Sequence, residues 1–188
     1  LDDKTYKPSN VFGRISTAKN NLISPEAYCQ NPEIILEDKQ SRRPEMGRIY
    51  TSYMNRCQKS GAMDFDDLLI NTVKLFREHK DVLAQFQQRF EHILIDEYQD
   101  TNATQYELLK LLVGENGHFT AVGDDDQSIY GWRGARIENI QRFSEDFNAT
   151  KTIRLEQNYR STQTILQAAN GIIAHNFGRL GKELWTEG

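Results

Sequence analysis

The hydrophobic positions change their rhythm once along this chain. Up to residue 63 they recur at helical spacing, and from residue 64 helical stretches alternate with short apolar runs. Pro8, Pro25, Pro32 and Pro44 divide residues 1–44, which predicts short helices joined by loops. Across 45–60, Ile49, Tyr50, Tyr53, Met54 and Cys57 fall on one helical face, and Gly61 ends that helix. Asp64 can cap the next helix, whose apolar face holds Leu68, Leu69, Val73 and Phe76. A further helix is predicted from about Asp81 to Phe90.

The first apolar run, 92–95 (His-Ile-Leu-Ile), predicts a buried strand. Asp100, Thr101 or Asn102 then caps a helix with Tyr106, Leu109 and Leu112 on one face, ended by Gly114. A second strand is predicted over 119–122. A loop with Gly131 and Gly134 leads to a helix near 137–143. A third strand, 152–155, precedes a last helix capped by Ser161 or Thr162 and running to about His175. Alternation of helix and strand predicts an α/β fold with a parallel sheet from residue 64 onward, preceded by an all-helical unit over 1–63.

Composition narrows the class. Of the 188 residues 38% are hydrophobic and 27% charged, which fits a soluble globular chain. No apolar run is long enough to span a membrane. Cys29 and Cys57 are the only cysteines and form no C-x-x-C pair, which argues against zinc or redox chemistry and fits a reducing, cytoplasmic setting. The net charge of −4 hides an uneven distribution. Residues 1–63 carry 10 basic and 7 acidic side chains, residues 64–127 carry 5 and 14, and residues 128–188 carry 8 and 6. No block is basic enough to demand nucleic acid on electrostatic grounds alone. The chain starts at Leu1 and stops at Gly188 without terminal signatures, and is expected to be a piece of something longer.

The acidic middle third holds the candidate chemistry. Both predicted strands deliver acids and a glutamine at their C-terminal ends: Asp96-Glu97-Tyr98-Gln99-Asp100 after the first, Gly123-Asp124-Asp125-Asp126-Gln127 after the second. Ligands of open α/β sheets sit at that edge. Magnesium prefers carboxylates, water and phosphate oxygens. Asp96 can therefore hold magnesium, directly or through water. Glu97 can act as a general base on an attacking water. The bland alternative is a strand end followed by a helix cap. Gln127 can accept a hydrogen bond from water and donate one to phosphate, so it can report a terminal phosphate; otherwise it is a loop glutamine facing solvent.

Ser128 to Arg136 sets Tyr130 and Trp132 beside Arg133 and Arg136, between glycines. An exposed Trp beside Arg makes a stacking platform for unpaired bases. Aromatics are more often core than site, so packing inside is the competing expectation for Tyr130 and Trp132.

The stretches 96–102, 123–135 and 155–161 resemble motifs II, III and IV of superfamily 1 helicases, most closely the UvrD/PcrA/Rep type. The resemblance covers 64–188 in order; Arg14-Ile15-Ser16, Lys19-Asn20 and Leu22 to Pro25 resemble the helical insert of that family's first motor domain. It implies a partial RecA-like parallel sheet of the P-loop NTPase kind, with 1–63 as the end of the insert, 64–154 as the second part of the first motor domain and 155–188 as the start of the second. It implies ATP and magnesium as ligands, with Asp96 on the metal, Glu97 activating water and Gln127 sensing the γ-phosphate. Arg160 would reach the phosphates as an arginine finger, and Tyr159 would stack on adenine. Tyr130, Trp132, Arg133 and Phe65 would contact single-stranded DNA. For two of these the residues alone suggest otherwise: Phe65 reads as core and Tyr159 as a surface aromatic beside a helix. The activity implied is 3′ to 5′ movement on single-stranded DNA, acting at duplex junctions, in repair or replication restart.

No G-x-x-x-x-G-K-[ST] phosphate loop occurs in the sequence, and Gly181-Lys182-Glu183 lacks its spacing and hydroxyl. The chain by itself is therefore expected to be inactive as an ATPase. Unpaired strand edges predict self-association. A non-catalytic single-strand-binding module and the motor part of a helicase–nuclease subunit are the alternatives. A generic magnesium phosphohydrolase would not need the aromatic loop.

Overall fold

The computed structural model describes residues 2, 4–115, 117–147 and 151–187. The first unit is helical as expected: α1 (Pro8–Asn20), α2 (Pro25–Gln30), α3 (Pro32–Gln40) and α4 (Met46–Lys59). Proline sits in the first turn of the first three, where its missing N–H costs no hydrogen bond. Ser24 accepts from Ala27 N, and Asn31 accepts from Glu33 N and Ile34 N, so two of these starts are also capped. Ile15, Ala18, Tyr28, Met46 and Tyr50 bury together, with the Tyr28 and Tyr50 rings edge to face at 5.8 Å.

The second unit holds α5 (Phe65–Glu78), α6 (Lys80–Arg89), β1 (His92–Ile95), α7 (Ala103–Val113) and β2 (His118–Ala121). Asp64 and Asp67 form a reciprocal capping box on α5, and Asn102 and Gln105 form another on α7. Gly114 closes α7 at φ +59°, a conformation that favours glycine. Strands β1 and β2 pair in parallel, with Ile93 opposite Phe119 and Ile95 opposite Ala121. α7 is the crossover between them. Phe119 packs into an aromatic cluster with Tyr98, Phe143 and Phe147, its ring 4.8 Å from that of Phe147. Tyr98 is wholly enclosed there.

Four expectations need correction. β1 forms where expected but is not buried: His92 and Leu94 are exposed and Ile93 and Ile95 only partly covered, because a two-stranded sheet leaves one face open. The segment 152–155 forms no strand. Its alternating pattern has strand propensity, but propensity is realised only against a ladder partner. The backbone just beyond it finds one instead in a single parallel bridge, Gln157 to Trp185. The helix near 137–143 is broken into α8 (Glu138–Gln141) and α9 (Phe143–Asp146). Leu68, placed on the apolar face of α5, is half exposed, whereas Val73 and Phe76 are buried. The last helix, α10 (Gln163–Ile173), starts after Thr162 as expected, but the Thr162 side chain makes no capping hydrogen bond. The described residues are thus mostly helical with a two-stranded parallel sheet, and Leu94 and Val122 remain exposed on and beside it. No described helix is long and apolar enough to cross a membrane.

Candidate functional site

The site lies where β1 and β2 end. Val122 N donates to Ile95 O at 2.8 Å and Tyr98 N donates to Val122 O at 2.9 Å, so the two chains stay paired past the strands. Asp96 Oδ1 accepts from Glu97 N at 2.9 Å. That bond steadies Glu97 in a left-handed conformation, φ 52° and ψ 41°, which costs an L-residue roughly 1–2 kcal/mol. Both carboxylates are exposed.

Gln99, almost wholly buried, is the residue that joins the two strand ends. Its Nε2 donates to Glu97 Oε2 at 2.8 Å, and its Oε1 accepts from Asp124 N at 2.9 Å. Asp124 Oδ2 in turn accepts from Gln127 Nε2 at 2.5 Å. Glu97 and Gln127 are therefore connected through two residues. Gly123 makes the join possible. A Cβ there would stand 2.8 Å from Gln99 Oε1 and from Ile140 Cδ1, and 3.2 Å from Tyr98 N. Asp100 lies alongside, and burial and then the Glu97 charge raise its carboxyl above the ordinary value.

The carboxylate oxygens of Asp124, Asp125 and Asp126 lie within 4.8 Å of one another, close enough to share a cation. The chain's own cations are already there. Arg179 grips Asp126 with Nε at 2.7 Å and Nη2 at 2.6 Å, and Lys182 Nζ contacts Asp124. Burial acts to raise the Asp124 carboxyl, but the hydrogen bonds from Lys182 and Gln127 outweigh it and hold the group below the usual carboxylate range.

The aromatic loop is pinned at its base and open at its tip. Arg136 N and Asn139 Nδ2 donate to Thr101 O at 3.0 and 3.1 Å. Trp132 is 76% exposed, and Arg133 lies over its ring at 5.1 Å and over Tyr130 at 5.7 Å. The alternative of core packing fails for Trp132. It fails more completely for Phe65, which is 90% exposed at the first position of α5. Tyr159 is 86% exposed with its hydroxyl on Gln157 at 2.7 Å, which agrees with a surface aromatic. Arg160 is exposed, and its guanidinium has no hydrogen bond or ion pair among the described residues. The structure thus joins Glu97 and Gln127, sets the aromatic loop just beyond them, and leaves Tyr159, Arg160 and Phe65 without direct contact to that group.

One further residue holds this frame. Lys19, 0% exposed at the end of α1, donates to Asp64 at 2.7 Å and to Asp67 at 2.6 Å. Tyr53 OH also donates to Asp64, at 2.8 Å. Burial raises the Asp64 carboxyl, and the Lys19 and Tyr53 hydrogen bonds bring it below the ordinary value. Lys19 O accepts from Thr104 Oγ1 at 2.9 Å, Asn20 accepts from Asn102, and Asn21 accepts from Arg136. One helix end therefore touches the cap beside Phe65, the start of α7 and the base of the aromatic loop.

The UvrD/REP helicase N-terminal domain family matches residues 1–148. The chain belongs to that family. It is 50% identical over 188 residues to a DNA helicase II of Haemophilus influenzae, covering 100% of this chain and 25% of that protein. It is 45% identical over 187 residues to an ATP-dependent DNA helicase PcrA of Leuconostoc citreum, covering 100% of this chain and 24% of the relative. An ATP-dependent DNA helicase UvrD1 of Mycobacterium tuberculosis is 44% identical over 194 residues, with 100% of this chain and 25% of the relative covered. The chain spans about a quarter of the length of these family members.

Reading the residues alone missed Gln99 as a bridge, Lys19 as a hub, and Arg179 and Lys182 as partners of the acids. For the last pair a signal exists. No charged side chain stands between Arg160 and Arg179, so Arg179 and Lys182 are the first charges after a long uncharged stretch.

Proposed function

We propose that this chain is part of the motor of an ATP-dependent DNA helicase that moves 3′ to 5′ on single-stranded DNA. One observation carries the reading: the hydrogen-bonded series Glu97–Gln99–Asp124–Gln127 runs straight into the exposed loop of Tyr130, Trp132 and Arg133. Nucleotide chemistry and strand grip then share a few consecutive residues.

The donor set fits magnesium. Asp96 is an exposed hard-oxygen ligand whose Oδ2 makes no hydrogen bond among the described residues. Bound there with ATP, magnesium would offset charge on the phosphates. Glu97 takes the proton of the water that attacks the γ-phosphorus, as the bond to the β-phosphate oxygen breaks. Gln99 donates to Glu97 Oε2, which leaves Oε1 the less engaged oxygen for that proton. Gln127 reads the γ-phosphate, Arg160 reaches the phosphates and Tyr159 stacks on adenine. Trp132, Tyr130, Arg133 and Phe65 hold unpaired bases.

In the full-length protein, Glu97→Gln lowers single-strand-stimulated ATP turnover by about 10²–10⁴-fold while binding of ATP and DNA persists. Turnover at the wild-type rate would overturn the assignment. The 188-residue chain alone has no phosphate loop in its sequence and hydrolyses no ATP. DNA-stimulated hydrolysis by it that vanishes on Glu97→Gln would sink that part.

A further inference from the structure

We infer that Arg179 and Lys182 are positioning residues, forming a basic latch that closes on Asp124–Asp126 and fixes where Gln127 stands; the functional part of this inference rests on the reading of Gln127 given above.

The contacts are in register. Arg179 forks onto Asp126, Leu180 N donates to Asp125 Oδ2 at 2.7 Å, and Lys182 Nζ meets Asp124. Three successive carboxylates thus each receive a donor from one four-residue segment. The Arg179 fork is planar and two-pronged, so it sets orientation as well as distance. The side chains of Arg179 and Lys182 are 18% and 19% exposed, closed enough to escape most screening and open enough to separate.

Asp124 makes the latch consequential. Its Oδ1 takes Lys182 and Asp126 N, and its Oδ2 takes the Gln127 amide. Removing Lys182 leaves Asp124 Oδ1 held by Asp126 N alone, so the carboxylate that positions the Gln127 amide is held less firmly. The other end of the latch segment reaches Arg160. Trp185 N donates to Glu156 O at 3.1 Å, and Asn158 N donates to Trp185 O at 2.7 Å. Asn158 Oδ1 accepts from Arg160 N at 2.9 Å and Ser161 N at 2.8 Å. The residues 179–185 therefore connect the sensor Gln127 with the backbone that presents Arg160. A divalent ion among Asp124, Asp125 and Asp126 would have to displace both cations.

The test uses the full-length protein and the variants Lys182→Ala, Arg179→Ala and Lys182→Arg. Amide hydrogen exchange over 124–128 is read first, then kcat and KM for ATP with saturating single-stranded DNA. Both alanine variants are expected to raise exchange over 124–128. Lys182→Ala should also lower kcat at least about tenfold, as misplacement near reacting atoms does, with KM and DNA binding within about twofold; Lys182→Arg recovers most of the rate. Unchanged exchange overturns the latch. Raised exchange with unchanged kcat overturns the positioning role. A wild-type protein without DNA-stimulated ATP turnover overturns the functional reading instead, and exchange alone then decides the latch.

Discussion

Two ion-pair clusters of nearly the same composition do opposite work in this molecule. At Lys19 one ammonium group is completely enclosed between Asp64 and Asp67, with Tyr53 against it. At Arg179 and Lys182 two cations meet three carboxylates in a partly open setting. A buried cation between two carboxylates is held by the cost of leaving any one of them unpaired. A pair left about a fifth exposed keeps water within reach, so losing one partner costs less than in the enclosed cluster. The first cluster therefore acts as a fixed frame, tying α1 to the cap beside Phe65 and, through the neighbouring Asn20 and Asn21, to the aromatic loop. The second is the more readily opened of the two.

The sharpest way to break this contrast is to remove one cation from each cluster. Lys19→Met should destabilise the protein by about 3–5 kcal/mol, since Asp64 and Asp67 are left as buried like charges. Lys182→Met should cost no more than about 1 kcal/mol. Urea unfolding followed by circular dichroism measures both. Equal losses would mean that the latch is part of the frame. A small loss for Lys19→Met would mean that the frame is held elsewhere.

Between frame and latch lies the join at Gly123. An added Cβ meets the Tyr98 backbone as well as Gln99 and Ile140, so flexible side chains alone cannot absorb it. Gly123→Ala should cost about 1–3 kcal/mol by overpacking. It should also slow ATP turnover in the full-length protein, because Gln99 can no longer bridge Glu97 and Asp124. Stability and turnover both within error of wild type would show that the strand ends yield more easily than these distances imply.

Trp132→Ala tests the open tip of the loop. The side chain is mostly exposed and supports no core, so folding stability should move by less than about 0.5 kcal/mol. Single-strand affinity, by fluorescence anisotropy, should fall by about 1–3 kcal/mol. Equal affinity would remove Trp132 from the strand contact.

What the sequence disclosed follows the range of the forces involved. Helix starts were legible because their signals are local. Pro8, Pro25 and Pro32 open three helices, and Asp64 and Asn102 cap two others within three residues. The two strands and the acids at their ends were legible because apolar runs and turn chemistry sit side by side. Lys19 was not. Its partners are 45 and 48 residues away, and a lysine on a helix reads as solvated. Phe65 misled for a related reason. Its spacing with Leu68 and Leu69 suggests a buried face, yet the first position of α5 points it outward, and only the family resemblance suggested strand contact. The 152–155 segment shows the remaining limit: strand propensity is local, but a strand exists only with a partner.

Acid supplies the smallest and most discriminating comparison. The Asp64 and Asp124 carboxyls both lie below the ordinary value of 3.8 in the folded protein. A carboxylate with a depressed folded pKa adds stability that is present above its unfolded pKa. That stability is lost as pH falls through the folded pKa. Stability should therefore be flat with respect to these two groups from pH 7 to about 5 and decline below about 4. Asp64 faces Lys19, Tyr53 and Asp67; Asp124 faces Lys182, Asp126 and Gln127. Lys182→Ala removes the main group holding Asp124 down, so its folded pKa moves back toward the unfolded value. The decline below pH 4 should then be shallower, while the share due to Asp64 persists. Identical acid profiles for variant and wild type would mean that Lys182 does not set the charge of Asp124 in solution, and the latch would have to rest on Arg179 alone.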